Sequence, residues 1–314
     1  MARGWRGSVL LAGIALVAAA PAWACQGGPP PATGSTVSGV TVEAAKKPDP
    51  LVDPTTQFVR EHLPQGAFAD QYPRFHDQVC VKVQGLPPEF NEFIARRVVE
   101  VARQVRAPVA KAADCTPNVH VIFSVHPQAQ LADIAKRRDI LIGYQFRPQL
   151  QRMSKFTRPI QAWYVTRSVG DNGASQLDNW DPDRFDPTDG KVPPYGRAGS
   201  RLANGMSAEV VHSLILADAN RVAGEKIDAI ADYVSVLALA HWQGLERCNA
   251  IPTILNLMAE GCAQDPPQAI TAADLGLLKG LYSMDPREYA SQQRVTIASA
   301  IRKARAQASD KGQH

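Results

Sequence analysis

The chain has 314 residues, a formal net charge of +4 and 45% hydrophobic residues. A charge this close to balance argues against a nucleic-acid-binding surface or a broad contact with anionic membranes. After the N-terminal leader, the sequence has no run of the ~20 apolar residues that a membrane-spanning helix needs. The composition is that of a globular protein, and about 250 residues are enough for one domain with a sizeable core.

Residues 1–24 have the pattern of a secretory signal peptide. Two arginines precede an apolar run over residues 9–20, which is too short to span a bilayer. The small residues Ala22 and Ala24 then predict cleavage before Cys25. We therefore expect an exported protein, located in the periplasm or associated with the outer membrane or cell surface.

The remaining sequence divides into three parts by composition. Residues 25–54 are rich in Pro, Gly, Ser and Thr, and such a segment buries too little apolar surface to offset its ordering entropy. We predict a disordered tether there. Residues 55–308 are predicted to form a single α+β domain, and residues 309–314 a disordered tail.

Five cysteines in an exported chain leave at least one without a disulfide partner. Cys25 is that residue if it becomes the acylated first residue of a lipoprotein, but the usual aliphatic residue before it is missing, so simple secretion stays equally open. Pairing of neighbours along the chain predicts one disulfide between Cys80 and Cys115 and another between Cys248 and Cys262, each expected to contribute about 2–4 kcal/mol. No Cys-x-x-Cys motif points to a zinc site.

Hydrophobic periodicity predicts the elements of the domain in chain order. Strands are expected over 79–83, 119–125, 160–169 and 210–217, and helices over 89–105, 130–142, 227–241, 252–260, 272–283 and 292–308. The run over 210–217 is almost wholly apolar, which is typical of a strand buried on both faces. Strands and helices mix in the first half, whereas helices dominate the second. The predicted fold is therefore α+β, with a mixed sheet from the first half covered by helices and a mainly helical second half.

The helix expected near residues 226–241 carries the candidate metal or polar site. Asp228 and Asp232 lie one turn apart, where two side chains can bind one cation, and carboxylate ligands favour Ca²⁺ or Mg²⁺ over zinc. His212 on the preceding strand and His241 at the helix end would complete the set if the fold brings them together. The alternative is structural, because acidic residues in the first turns of a helix stabilise its positive end.

Other sequence patterns give no catalytic constellation. The sequence lacks a Gly-x-Ser-x-Gly elbow and a Gly-x-Gly-x-x-Gly loop, and His120 is interpreted as an isolated strand histidine. We therefore predict a non-catalytic binding or structural module without a cofactor, whose partner is a protein or small molecule of the cell envelope, bound beside the long loop 170–205. The alternative hypothesis is a metal-dependent hydrolase that uses a divalent cation on the acidic helix.

The second half of the domain resembles an exported proteobacterial family of unknown function. The residues that carry the resemblance are 215–220, 230–234, 248–256, 273–275 and 281–282. This resemblance implies no assigned activity. More distantly, a strand followed by a long helix is similar to the layout of zinc metallopeptidases. Aspartates replace both histidines of their signature, and Ala229 stands where the catalytic glutamate is expected, so that resemblance implies an inactive descendant.

Overall fold

The structure is a computed structural model that describes residues 53–66, 69–111, 115–143, 147–178, 205–262 and 265–311. The predicted signal peptide, Cys25, nearly all of the predicted tether and residues 179–204 of the long loop lie outside these ranges. All the described residues belong to one compact unit. Within these ranges, no helix combines the length and the apolar character that crossing a membrane requires.

The described ranges contain five strands, seven α-helices and two 3-10 helices. The strands are β1 (Val81–Gln84), β2 (Val119–Ser124), β3 (Ile160–Gly170), β4 (Ser175–Leu177) and β5 (Met206–Asp218). The α-helices are α1 (Pro54–His62), α2 (Pro88–Gln104), α3 (Pro127–Arg137), α4 (Arg147–Met153), α5 (Ile227–Leu239), α6 (Ala272–Ser283) and α7 (Ala290–Lys311). The 3-10 helices are Asp139–Ile142 and Ile254–Met258.

The strands form one mixed sheet in the order β1-β2-β5-β3-β4. β1, β2 and β5 are parallel, whereas β3 runs antiparallel to both β5 and β4. β5 lies at the centre and is buried over most of its length, as its apolar sequence predicts. Helices cover the sheet and make up most of the chain after β5, which confirms the predicted α+β class.

The two faces of the sheet bury different cores. Ile215 and Ala217 of β5 belong to the main core, which also contains residues of α2, α5, α6 and α7. Leu214 and Leu216 point to the opposite face because side chains alternate along a strand. They pack in a smaller cluster with Trp163 of β3 and with residues of α3 and the first 3-10 helix. This division decides which strand side chains can meet.

Helices α6 and α7 pack closely because α6 has glycines where the backbones meet. A Cβ at Gly276 would lie 2.8 Å from the Cα of Ile301, and one at Gly280 would lie 2.7 Å from the Cα of Ile297. Both distances are far shorter than normal van der Waals contact. The two glycines therefore permit a helix separation that any larger residue would prevent.

Several elements differ from the sequence-based expectation. β4 and α4 lie in segments for which no element is predicted, and β5 begins at Met206 rather than at residue 210. α1 was not predicted and follows an N-cap in which Asp53 Oδ2 accepts a hydrogen bond from the Thr56 backbone N–H at 2.9 Å. The helix expected over 130–142 is divided into two elements by the non-helical backbone of Arg138. The helix expected over 252–260 is a single 3-10 segment. α7 continues to Lys311 and so includes the first three residues of the predicted tail.

Both predicted disulfides form. Cys80 is bonded to Cys115, which joins the start of β1 to the segment before β2. Cys248 is bonded to Cys262 and closes the loop that contains the second 3-10 helix. Two disulfides are consistent with a chain that matures in an oxidising compartment.

Candidate functional site

Asp232, the central residue of the predicted metal site, is engaged in structural hydrogen bonds. Its Oδ1 accepts a bond from Arg97 Nε of α2 at 2.6 Å, and its Oδ2 accepts one from the Ile270 backbone N–H at 2.8 Å. The hydrogen bond to Asp232 raises the pKa of Arg97. Both carboxylate oxygens of Asp232 thus connect α5 to α2 and to the segment that precedes α6.

The other three candidates do not join Asp232. Asp228 is exposed in the first turn of α5, where a negative charge stabilises the helix end. Ser213 donates a hydrogen bond to the Ala238 carbonyl of α5 at 3.1 Å, so its neighbour His212 points to the opposite face of the sheet. The described residues contain no group of three or more His, Cys, Asp or Glu side chains that could hold a metal ion.

His241 lies just beyond α5, beside the main core. Its ring packs against Tyr164 with a centroid separation of 4.8 Å. Burial lowers the pKa of His241 to about 4, so the ring is neutral at pH 7. Its Nδ1 is buried without a hydrogen-bond partner. Tyr164 itself donates to the Leu237 carbonyl at 2.8 Å, which places this contact on the α5 side of the sheet, away from the face of His212.

His212 instead meets a histidine that sequence analysis interpreted as isolated. His120 of β2 and His212 of β5 lie on adjacent parallel strands, and His120 Nδ1 is 2.7 Å from His212 Nε2. Their ring centroids are 4.9 Å apart. His212 is 8% exposed, whereas His120 is partly exposed. We call these two residues the histidine pair.

Burial and neighbouring cations keep the histidine pair neutral. Burial lowers the pKa of His212 to about 4, with a further contribution from His120. The pKa of His120 is lowered by burial first and then by Lys82 and Arg138. Lys82 is the direct cross-strand partner of His120, and directly paired residues project from the same face. The outer end of the pair is therefore bordered by positive charge.

Hydrogen bonding indicates which way the two rings are protonated. If His120 donated its Nδ1–H to His212 Nε2, then neutral His212 would carry its own proton on Nδ1, which is buried without an acceptor. Buried unpaired N–H groups are rarer than buried unpaired acceptors. We therefore assign His212 Nε2–H as the donor and His120 Nδ1 as the acceptor. Neutral His120 then carries its proton on Nε2, which is not among the buried unpaired atoms.

A second polar cluster lies on the same face, further toward the start of β5. Glu209 Oε2 is 2.6 Å from Arg167, and Glu209 Oε1 is 3.4 Å from His76. Arg167 also contacts Asp77 at 3.1 Å. His76 has a lowered pKa, since burial outweighs the attraction of Glu209. Glu209 Oε1 thus contacts the segment before β1, whereas its Oε2 binds Arg167 of β3, and Arg167 in turn reaches Asp77 of that segment.

Comparison with known proteins returned no matching family model, curated protein or solved structure. The resemblances drawn from the sequence therefore stay predictions. The histidine pair was the feature that sequence reasoning missed. Its only signal was a histidine within each of two apolar strands, and that signal becomes specific only when those strands are known to be neighbours.

Proposed function

We propose that this chain is an exported, non-catalytic binding protein that takes a small anionic ligand, bearing a carboxylate or phosphate group, at the histidine pair. The observation that carries the proposal is the hydrogen-bonded pair of His120 and His212 beside Lys82 and Arg138. A polar pair of this kind within a sheet face is costly, because His212 leaves one ring nitrogen buried and unpaired. A binding role gives a reason for that cost.

The arrangement suits an anion for two reasons. His120 is neutral and presents Nε2–H as a donor, with its ring oriented by the bond from His212. Lys82 and Arg138 add positive charge. Among the described residues, neither of them forms an ion pair with an acidic side chain. Hydrogen bonds to charged groups contribute about 1.5–3 kcal/mol, so loss of the His120 donor should weaken binding by roughly tenfold to a hundredfold.

The test is calorimetric titration of the purified chain at pH 7.5 with inorganic phosphate, citrate and succinate. His120→Asn keeps an acceptor close to the position of Nδ1 but lacks the outer N–H, and Lys82→Ala removes one positive charge. Both variants should weaken binding, whereas Lys279→Ala, an exposed change on α6, should leave it unchanged. The proposal fails if no anion binds, or if His120→Asn binds the same anion with unchanged affinity.

Export and the state of Cys25 need a separate experiment. We propose that the leader is removed and that the mature chain lies in the periplasm or is attached to the outer membrane through Cys25. Labelling cells with a fatty acid should mark the wild-type chain but not Cys25→Ser if the lipoprotein alternative is correct. Simple secretion predicts an unlabelled periplasmic protein in both cases. Intact leader on a cytosolic protein would overturn export itself.

The hydrolase alternative makes a distinct prediction. A divalent cation held by Asp228 and Asp232 would make the melting temperature fall when a chelator is added. Elemental analysis of the purified chain, repeated on Asp228→Ala, tests this directly. A stoichiometric metal that disappears in that variant would favour the hydrolase over the binding module.

A further inference from the structure

β1 forms one edge of the sheet and pairs only with β2 among the described strands. Both the Asn118 and Val119 N–H groups donate to the Cys80 carbonyl, so the backbone of Cys80 faces β2. Alternation then turns the backbone groups of Val81 and Val83 outward, away from β2. Within the described ranges, no segment of the chain pairs with those groups.

The chain itself pairs along this edge at Val79, two residues before Val81. Val79 donates to the Pro108 carbonyl at 2.8 Å and accepts from the Ala110 N–H at 3.1 Å, which makes a parallel bridge between Val79 and Val109. An extended segment therefore already lies along the outer side of this edge. The bridge at Val79 shows that this edge can pair with an extended segment, and the described pairing ends before Val81.

A cleft of about 330 Å³ runs beside the same edge, between β1 and α2. Its floor is apolar, and its rim carries charged side chains from successive turns of α2. The lining residues are Val81, Ala95, Arg96, Val99, Glu100 and Arg103. An extended segment paired with β1 would direct every second side chain into this cleft, because side chains alternate along a strand.

The charges of the rim favour a negatively charged occupant. Arg96 and Arg103 are seven residues apart in α2, which separates them by two turns or about 10 Å. Glu100 lies between them and contacts Arg97 at 3.3 Å, but Arg97 is already bonded to Asp232, so Glu100 offsets part of the positive charge. Two arginines and one glutamate leave the lining with a net charge of +1. The contact of Arg96 with Glu92 is 3.7 Å long and exposed on both sides, and pairs of that kind contribute little and exchange readily.

We propose that β1 and the adjoining cleft bind an extended acidic segment of a partner protein, which adds a strand to the sheet. The outward N–H and C=O groups of Val81 and Val83 form backbone hydrogen bonds with the segment. A small apolar side chain of the segment packs on Ala95 and Val99, and acidic side chains two positions before and after it reach the arginines. The recognised pattern is acidic-x-apolar-x-acidic, a strand-addition mode of peptide binding.

Fluorescence anisotropy of the purified full chain tests this site with a labelled peptide of sequence Gly-Asp-Thr-Val-Thr-Glu-Gly. A second peptide has lysines in place of the two acidic residues, and a third is N-methylated at alternate backbone positions so that it cannot pair with β1. The first peptide should bind, and the other two should bind at least about tenfold more weakly. Added salt should weaken binding of the first peptide.

Protein variants distinguish binding at this site from nonspecific charge attraction. The double variant Arg96→Glu, Arg103→Glu changes only exposed side chains. It should bind the acidic peptide at least about tenfold more weakly than the wild-type chain does. Arg137→Glu is the matched control, because Arg137 is also exposed on a helix and contacts an acidic residue four positions before it. The proposal is overturned if the acidic peptide does not bind, or if the N-methylated peptide binds as tightly as the acidic peptide. It is also overturned if Arg137→Glu weakens binding as much as the double variant does. A dimer that excludes the peptide overturns it as well, because a second copy would then occupy the edge.

Discussion

Replacement of Asp232 by Ala separates a structural carboxylate from a metal ligand. The side chain is 6% exposed and accepts one hydrogen bond from Arg97 and one from the Ile270 N–H. Removing it leaves the Ile270 N–H unpaired near the core, which costs about 1–3 kcal/mol. Arg97 loses an ion pair but is 32% exposed, so water compensates for part of that loss. The lost ion pair therefore adds less to the destabilisation than a fully buried one would. We expect a total destabilisation of about 3 kcal/mol.

The measurement is urea unfolding followed by circular dichroism, with the disulfides intact. Asp228→Ala is the matched control, because Asp228 lies one turn earlier in α5 but is exposed. It should change the free energy of unfolding by less than about 0.5 kcal/mol. A chelator should change neither result. Equal destabilisation by the two variants, or a change below about 0.5 kcal/mol for Asp232→Ala, would refute the structural assignment.

Three further predictions test other contacts. Gly280→Ala should destabilise the fold by about 1–3 kcal/mol, because the new Cβ would lie 2.7 Å from the Cα of Ile297; a higher melting temperature would contradict the close helix packing. The pKa of His212 is about 4 when folded and about 6.5 when unfolded, so as the pH falls from 6.5 to 4 the unfolded chain takes up the proton first. The contribution of His212 to stability should then decline by up to about 1.4 kcal/mol per pH unit, and buried His241, whose pKa is also about 4, adds a parallel decline. A wild-type slope in His212→Gln would contradict this. Replacing Cys80 and Cys115 by Ala opens a loop with a sequence separation of 35 and should cost about 4 kcal/mol by chain entropy, measured by urea unfolding, where an unchanged midpoint would argue against the bond.

The sequence by itself determined the features that depend on local pattern. A stretch rich in Trp, Tyr and Val located β3 within one residue of its observed end, and the apolar run of β5 predicted its burial on both faces. Cysteines close along the chain formed the pairs that their spacing predicted. Periodicity and short loops are properties of neighbouring residues, so they need no knowledge of how distant segments meet.

Only the tertiary structure decided which polar side chains act together. Asp232 is hydrogen-bonded to a residue 135 positions earlier and to one 38 positions later, so its spacing from Asp228 was uninformative. His120 and His212 are 92 positions apart and meet because β2 lies beside β5. Helix and strand periods determine the face on which a side chain lies. Strand order determines its neighbour on that face, and that order results from packing the whole sheet against its helices.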